Sequence, residues 1–252
     1  MFKILLSLFL LIGILQANSN TKIKSFSKAK KLLKNKIYNT KDLHIAFYSK
    51  CTYESKKIKK KNGKYRYKLV VDKQSCNYTP RKQKNKRSNY IEWEHIVPAH
   101  AFGHNLTCWK KGNNRCYSKK KNKYYKGRKC CSRVSKQFKL MQADMYNLVP
   151  AIGELNEDRN NFTFTELTGE PRVYGDVNFE VNFKQRKVEP PEYVKGQIAR
   201  TYFYFKKTYN LKISKKQMKL YKAWNKQYPI TKREKYIYNK IQKIQGNKFL
   251  EQ

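Results

Sequence analysis

Seventeen carboxylates must serve a chain that carries 58 lysines and arginines, and this imbalance constrains the sequence more than any other feature. The formal net charge is +41 and the pI is near 10.0. Such a balance points to a polyanionic partner: nucleic acid first, with acidic membranes or cell-wall polymers as rivals. Part of the excess is compositional, because Lys, Asn and Ile are abundant as AT-rich coding would produce. A hydrophobic fraction of 39% and an aromatic fraction of 14% exclude a wholly disordered chain. At 252 residues, one domain or two small ones can bury a core.

Residues 1–17 read as a secretory signal peptide. Lys3 supplies the positive start, Ile4 to Leu15 the apolar run, and Leu15-Gln16-Ala17 the cleavage site. An uncleaved anchor is the alternative, but twelve residues are short for a membrane span. The expected product is periplasmic or secreted, a monomer with no membrane span in the mature chain. Six cysteines behind this signal favour disulfides. Cys51 and Cys76 flank a possible hairpin, while Cys108, Cys116, Cys130 and Cys131 cluster. Zinc is the rival for that cluster, but two separated Cys-x-x-Cys pairs are missing, so two disulfides are preferred.

Along the chain, the basic segment 18–40 reads as a short amphipathic helix or an extended arm. Asn62-Gly63 signals a hairpin turn, followed by Tyr65, Tyr67, Leu69 and Val71 on one half-buried strand face. Residues 80–89 are a basic loop, and 109–133 a surface loop stapled by disulfides. Phe138, Met141, Met145 and Leu148 predict a helix over 135–148, with Asp144 and Asn147 on another of its faces. Val177, Phe179, Val181 and Phe183 alternate as a strand. Ile198, Tyr202, Phe205 and Tyr209 mark a helix. Ser214-x-x-Gln217 and Thr231-x-x-Glu234 are capping boxes that open two more, the last stopping at Gly246. With no linker or internal repeat, the reading is one mixed α and β domain with a helix-rich C-terminal part.

The stretch from Tyr90 to His104 reverses the charge of the chain locally. It holds three of the four histidines and, in Glu92-Trp93-Glu94-His95, two of the scarce carboxylates. Phosphodiester hydrolysis needs an activated water, a neutralised phosphate and a stabilised leaving oxygen. A near-neutral His can take the proton from water. A divalent metal held by hard oxygen ligands can neutralise the developing charge. Adjacent residues of a regular strand face opposite ways, so Glu94 and His95 share a site only if the strand ends or twists there. Pro98 makes that plausible. A structural, hydrogen-bonded His is the competing reading of the bare residues.

Ile91-Glu92-Trp93-Glu94-His95-Ile96-Val97-Pro98-Ala99 resembles the signature of the endonuclease I family of periplasmic and secreted bacterial nucleases. The likeness continues through Cys108-Trp109 and Asp144-Met145-Tyr146-Asn147-Leu148-Val149-Pro150-Ala151-Ile152-Gly153-Glu154-Leu155-Asn156. It then runs through Asp158-Arg159 and Gly196-Gln197-Ile198-Ala199-Arg200 to Gln245-Gly246-Asn247. The resemblance implies a nuclease domain over 41–252 built around a ββα-metal (His-metal finger) core. It implies His95 as general base, and Glu94 with Asn147 as ligands of a divalent metal, Mg²⁺ first, with Mn²⁺ or Ca²⁺ as alternatives. The implied activity is metal-dependent cleavage of DNA, often also RNA, with little sequence preference and 5′-phosphate products. A basic secreted protein that coats nucleic acid or envelope polymers without chemistry is the other class of function, and it leaves Glu94-His95 without a role.

The chain departs from the family pattern in several places. Tyr146 stands where His is usual, Gln142 where Glu is usual, and Glu157 where a glycine is expected. Ser49 and Val177 replace a cysteine pair, which leaves Cys51–Cys76. An insertion follows Cys108-Trp109 and displaces the family's phosphate-binding arginine. Arg128 restores the spacing to Cys131 and Phe138, with Arg115 as the rival. If Cys131 bonds Cys108 as in the family, the insertion contributes its own pair, Cys116–Cys130. His100 and His104 receive no role.

Overall fold

Capping chemistry and apolar spacing account for most of the elements. The computed structural model describes residues 19–59 and 62–249, so the signal peptide expected at 1–17 lies outside the described residues. Ser25 caps the first helix, α1 (Phe26–Leu32), by accepting from Lys28 N. A π-helical turn over Leu33–Ile37 prolongs it. Ala29, Leu33 and Ile37 are buried at helical spacing. The lysine-rich segment is therefore a docked helix, not an extended arm.

Strands β1 (Tyr53–Lys59) and β2 (Tyr65–Val71) form an antiparallel hairpin. Only its base is buried. Leu69 and Val71 enter the core, whereas Tyr65 and Tyr67 are 55% and 66% exposed, correcting the expectation of one half-buried face along the whole strand. The hairpin simply extends beyond the core that would cover it. After a 3-10 turn at Lys86–Asn89 come β3 (Ile91–His95), α2 (Ala99–Gly103) and α3 (Thr107–Lys110).

The region expected as a stapled loop has more structure than that. Two short strands, β4 (Tyr117–Ser118) and β5 (Lys123–Tyr124), pair antiparallel, and α4 (Arg128–Val134) follows. Disulfides join Cys51–Cys76, Cys108–Cys131 and Cys116–Cys130, so the cysteine cluster offers no thiolate to zinc.

The helix expected over 135–148 is shorter. Helix α5 (Lys136–Gln142) stops, a 3-10 turn spans Met145–Asn147, and β6 (Leu148–Ile152) pairs antiparallel with β3. The Asp144 side chain accepts from Tyr146 N and opens the turn. Pairing with β3 then holds Leu148–Ile152 extended. The apolar spacing is real, but tertiary pairing overrides its helical period. Helix α6 (Gly153–Arg159) follows directly.

A small sheet contains β7 (Thr163–Phe164), β8 (Glu180–Asn182) and β9 (Lys187–Glu189) in the order β7-β9-β8. The alternation at 177–183 thus marks a three-residue strand with buried Val177 and Phe179 leading into it and an exposed Phe183 beyond. Helices α7 (Glu192–Tyr209), α8 (Lys215–Gln227) and α9 (Lys232–Gln245) complete the chain. Ser214 and Thr231 cap the last two, and Gly246 closes α9 at φ +90°. The result is a single mixed α+β domain, helix-rich toward its C-terminus, with one main core from Ile23 to Ile241. Among the described residues no helix is long and apolar enough to cross a membrane.

This core is unusually rich in tyrosine. Burial pushes the Tyr38 phenol up to about 12, and burial raises Tyr48, Tyr204, Tyr221 and Tyr238 well above the ordinary value. A phenol whose pKa is raised by folding contributes stability that is complete below pH ~10 and is lost as pH rises through the folded value. Alkaline titration should therefore show tyrosinate absorbance from the buried rings rising cooperatively with loss of circular dichroism. Gradual ionisation with the fold intact would contradict this account.

Candidate active site

The sequence left unresolved how Glu94 and His95 could share one site. Arg159, fully buried on α6, answers it. Its guanidinium donates to the carbonyls of His95 (2.9 Å) and Ile96 (2.5 Å) and pairs with Glu94 Oε1 at 3.1 Å. The strand is thus held at the point where it ends, and both side chains reach one cleft. That cleft has a volume of about 660 Å³, and Glu92, Glu94, His95, Arg128, Asn156 and Arg159 are among its lining residues.

Gly153, the first residue of α6, lets the helix approach β3. A Cβ there would lie 2.7 Å from Arg87 O and 2.9 Å from Glu92 Oε1. The rest of α6 is fastened by its own carboxylates. Glu154 accepts from the backbone of Arg81 and Lys82 and from the Tyr78 hydroxyl, while Asp158 binds Arg81 through two contacts at 3.0 and 2.7 Å. Glu157 is helical and pairs with Arg87 at 2.9 Å, so replacing the expected glycine requires no special backbone here.

His95 is buried and its Nε2 lies 2.9 Å from the Gln142 carbonyl oxygen. A carbonyl only accepts, so Nε2 carries the proton and Nδ1 keeps the lone pair. Burial lowers the imidazole to about 3, and the Arg128 charge pushes the same way. The ring is therefore neutral at physiological pH. Phe26 of α1 packs against it with ring centroids 4.8 Å apart. Burial acts oppositely on Glu94, pushing it up to about 7 although Arg159 and the Tyr48 hydroxyl pull it down. A carboxylate this short of solvation gains from any further positive charge.

Of the expected site residues, the structure brings Glu94, His95 and Arg128 together. Arg128 opens α4 with its guanidinium 5.3 Å from the Phe26 ring centre, and it lines the cleft. Arg115 is exposed in the insertion and is not among the cleft residues. Asn147 also stays outside. It is fully buried, its Oδ1 accepts from Val97 N at 2.7 Å and its Nδ2 donates to Val97 O at 2.9 Å. Both amide functions are occupied by the backbone, so Asn147 is a clamp on the chain leaving β3.

The residue that sequence reasoning missed is Asn156. It lines the cleft from α6, and Glu92 Oε2 accepts from its Nδ2 at 2.8 Å. Tyr146 points elsewhere: its hydroxyl donates to Asn247 O, within a cluster of Tyr204, Tyr238 and Phe249. Asp144 is likewise internal, accepting from Tyr204, Tyr209 and Gln245. His100 and His104 stack on one another at 4.8 Å, away from the cleft.

A cationic cleft with a buried Glu–His pair at its foot is the site of a hydrolytic enzyme in form. The Endonuclease I family model matches residues 25–249, and the chain belongs to that family and is an endonuclease by membership. It is 42% identical over 248 residues to an extracellular deoxyribonuclease of Aeromonas hydrophila, covering 98% of this chain and 96% of the relative. A periplasmic deoxyribonuclease of the same species is 45% identical over 181 residues, 71% of this chain and 70% of the relative. An Endonuclease-1 of Buchnera aphidicola subsp. Acyrthosiphon pisum is 47% identical over 177 residues, 69% of this chain and 63% of the relative.

Replacing Arg159 by Ala should leave Glu94 buried without its ion pair and release the end of β3. The expected loss is about 3–5 kcal/mol of stability, read from urea midpoints. A variant as stable as the parent would show that this guanidinium is not what holds the strand.

Proposed function

We propose that the chain is a metal-dependent, largely sequence-nonspecific endonuclease that hydrolyses phosphodiester bonds of DNA and leaves 5′-phosphates. RNA offers the same bond to the same groups. The observation that carries the reading is the convergence of a neutral His95, Glu94, Asn156 and Arg128 on one cleft. In this reading strand β3, its antiparallel partner β6 and the immediately following α6 serve as the ββα-metal (His-metal finger) core, with the base from a strand and an amide from the helix. The compartment we assign is periplasmic or secreted. Three disulfides favour an oxidising environment, and relatives bear the names extracellular and periplasmic deoxyribonuclease.

The donor set fits a hard divalent cation. Glu94 offers a carboxylate, and Asn156, whose Nδ2 is committed to Glu92, has its amide oxygen left to offer. Among the described residues no group of three or more His, Cys, Asp and Glu could form a closed metal cage. Few protein ligands, all oxygen, suit Mg²⁺, which keeps several waters; Mn²⁺ and Ca²⁺ take the same donors. Glu94 and Asn156 are thus the proposed ligands, with Asn156 taking the place expected for Asn147. When bound, the cation supplies positive charge at the phosphate and at the departing oxygen.

His95 Nδ1 accepts the proton of the attacking water, while the Gln142 carbonyl fixes the ring through Nε2. Arg128 grips a phosphate oxygen by charge-assisted hydrogen bonds. Nothing in this chemistry reads a base, which suits cleavage with little sequence preference. Because the base is already neutral far below pH 7, His95 imposes no acid limb on activity near neutrality.

His95→Ala should lower plasmid nicking by about 10²–10⁴, the usual worth of a positioned base. Asn156→Ala should raise the Mg²⁺ concentration for half-maximal nicking by about tenfold or more. Asn147→Ala should instead lower thermal stability with little change in that Mg²⁺ requirement. Nicking that persists in EDTA and in His95→Ala would sink the mechanism.

A further inference from the structure

The cleft does not end at Trp93. Lys30, Arg87, Ile91, Glu92 and Trp93 also face a second groove of about 650 Å³. Helix α1 forms one side of it, and Tyr67–Leu69 of β2 form the other. Five lysines line it (30, 31, 34, 68 and 86), and Glu92 is its one carboxylate. That carboxylate already holds Arg87 through two contacts at 2.8 and 2.6 Å. Among the described residues none of the five lysines forms an ion pair. The groove therefore presents uncompensated positive charge that runs directly into the active-site cleft.

Aromatic faces lie among these charges. Tyr67 is 66% exposed, with the Lys34 ammonium 5.7 Å from its ring centre. Lys68 sits 3.4 Å over the ring of Tyr90. Lysines for phosphates beside an open aromatic face for a base are the two elements of single-strand recognition. A duplex keeps its bases stacked inside and cannot present one to Tyr67.

We propose that this groove holds the single-stranded nucleotides flanking the cut phosphate. Tyr67 stacks on one base, and Lys30, Lys34 and Lys68 hold successive phosphates. The position of the cut rests on the nuclease reading; binding in the groove requires no chemistry. The test is a fluorescence-anisotropy titration of a labelled oligothymidylate in EDTA. Tyr67→Ala should weaken binding by about tenfold. The Lys34→Ala/Lys68→Ala double variant should flatten the slope of log K against log salt by about 1.4, at ~0.7 per phosphate contact. Tyr124→Ala, equally exposed but on the β4–β5 hairpin away from the groove, should bind like the parent. Parent-like binding by Tyr67→Ala, or an equal loss in Tyr124→Ala, overturns the groove. A parent protein that binds the oligonucleotide but, with Mg²⁺, cleaves neither it nor plasmid DNA defeats the nuclease reading instead.

Discussion

Arg159 holds the site together. Its planar guanidinium has donors on several edges, and here they are spent on three carbonyls, those of His95, Ile96 and Asn160, and one carboxylate. A lysine could supply the charge but not that geometry. By gripping the His95 and Ile96 carbonyls, it ends the strand where two neighbouring side chains must serve one cleft. By pairing with Glu94, it keeps a carboxylate in a place from which burial would otherwise exclude it. Among the described residues its Nε has no hydrogen-bond partner, and the guanidinium lies 4.4 Å from the Phe164 ring centre, so core packs on its remaining side.

The scarce carboxylates are distributed accordingly. Five of the seventeen, Glu92, Glu94, Glu154, Glu157 and Asp158, sit on β3 and α6. Together they bind Arg81, Arg87 and Arg159 and fix the loop before β3 against the helix after β6. Others fasten the C-terminal helices. Asp144 accepts from Tyr204, Tyr209 and Gln245, joining α7 and the end of α9 to the turn before β6, and Glu234 holds Arg200 at 2.8 and 2.6 Å. Acidic residues thus act mainly as internal fasteners. Among the described residues the lysines, buried Lys195 apart, remain on the surface, where a polyanion can meet them.

Burial separates the two central groups in chemical character. Removing water penalises the charged form of each, so the imidazole stays neutral and the carboxyl is driven up toward neutrality. One can accept a proton without prior deprotonation, and the other gains from a neighbouring positive charge. The single carbonyl of Gln142 decides which ring nitrogen keeps its lone pair. That explains why Gln142, despite departing from the family's Glu, need not disturb the base: its backbone makes the contact.

Much was legible in the sequence. The Glu-Trp-Glu-His reversal, the mixed α and β class, the capping boxes at Ser214 and Thr231 and the place of Arg128 rather than Arg115 at the cleft depend on local chemistry or spacing, and local chemistry survives folding. The helix expected over 135–148 fails for a tertiary reason. Phe138, Met141, Met145 and Leu148 fit a helix because a core contacts them from several sides, and pairing of Leu148–Ile152 with β3 is invisible to periodicity. The helical period puts Asn147 on an open helix face, whereas in the fold it lies in a buried 3-10 turn before β6, and Asn156 lies on the helix that lines the cleft. The sequence by itself determined the chemistry available: a neutralisable base, a rare carboxylate and an excess of cations. Only the tertiary structure shows which amide lines the cleft beside them: Asn156 does and Asn147 does not. An asparagine clamped by backbone and one that lines a cleft look identical until the hydrogen bonds around them are traced.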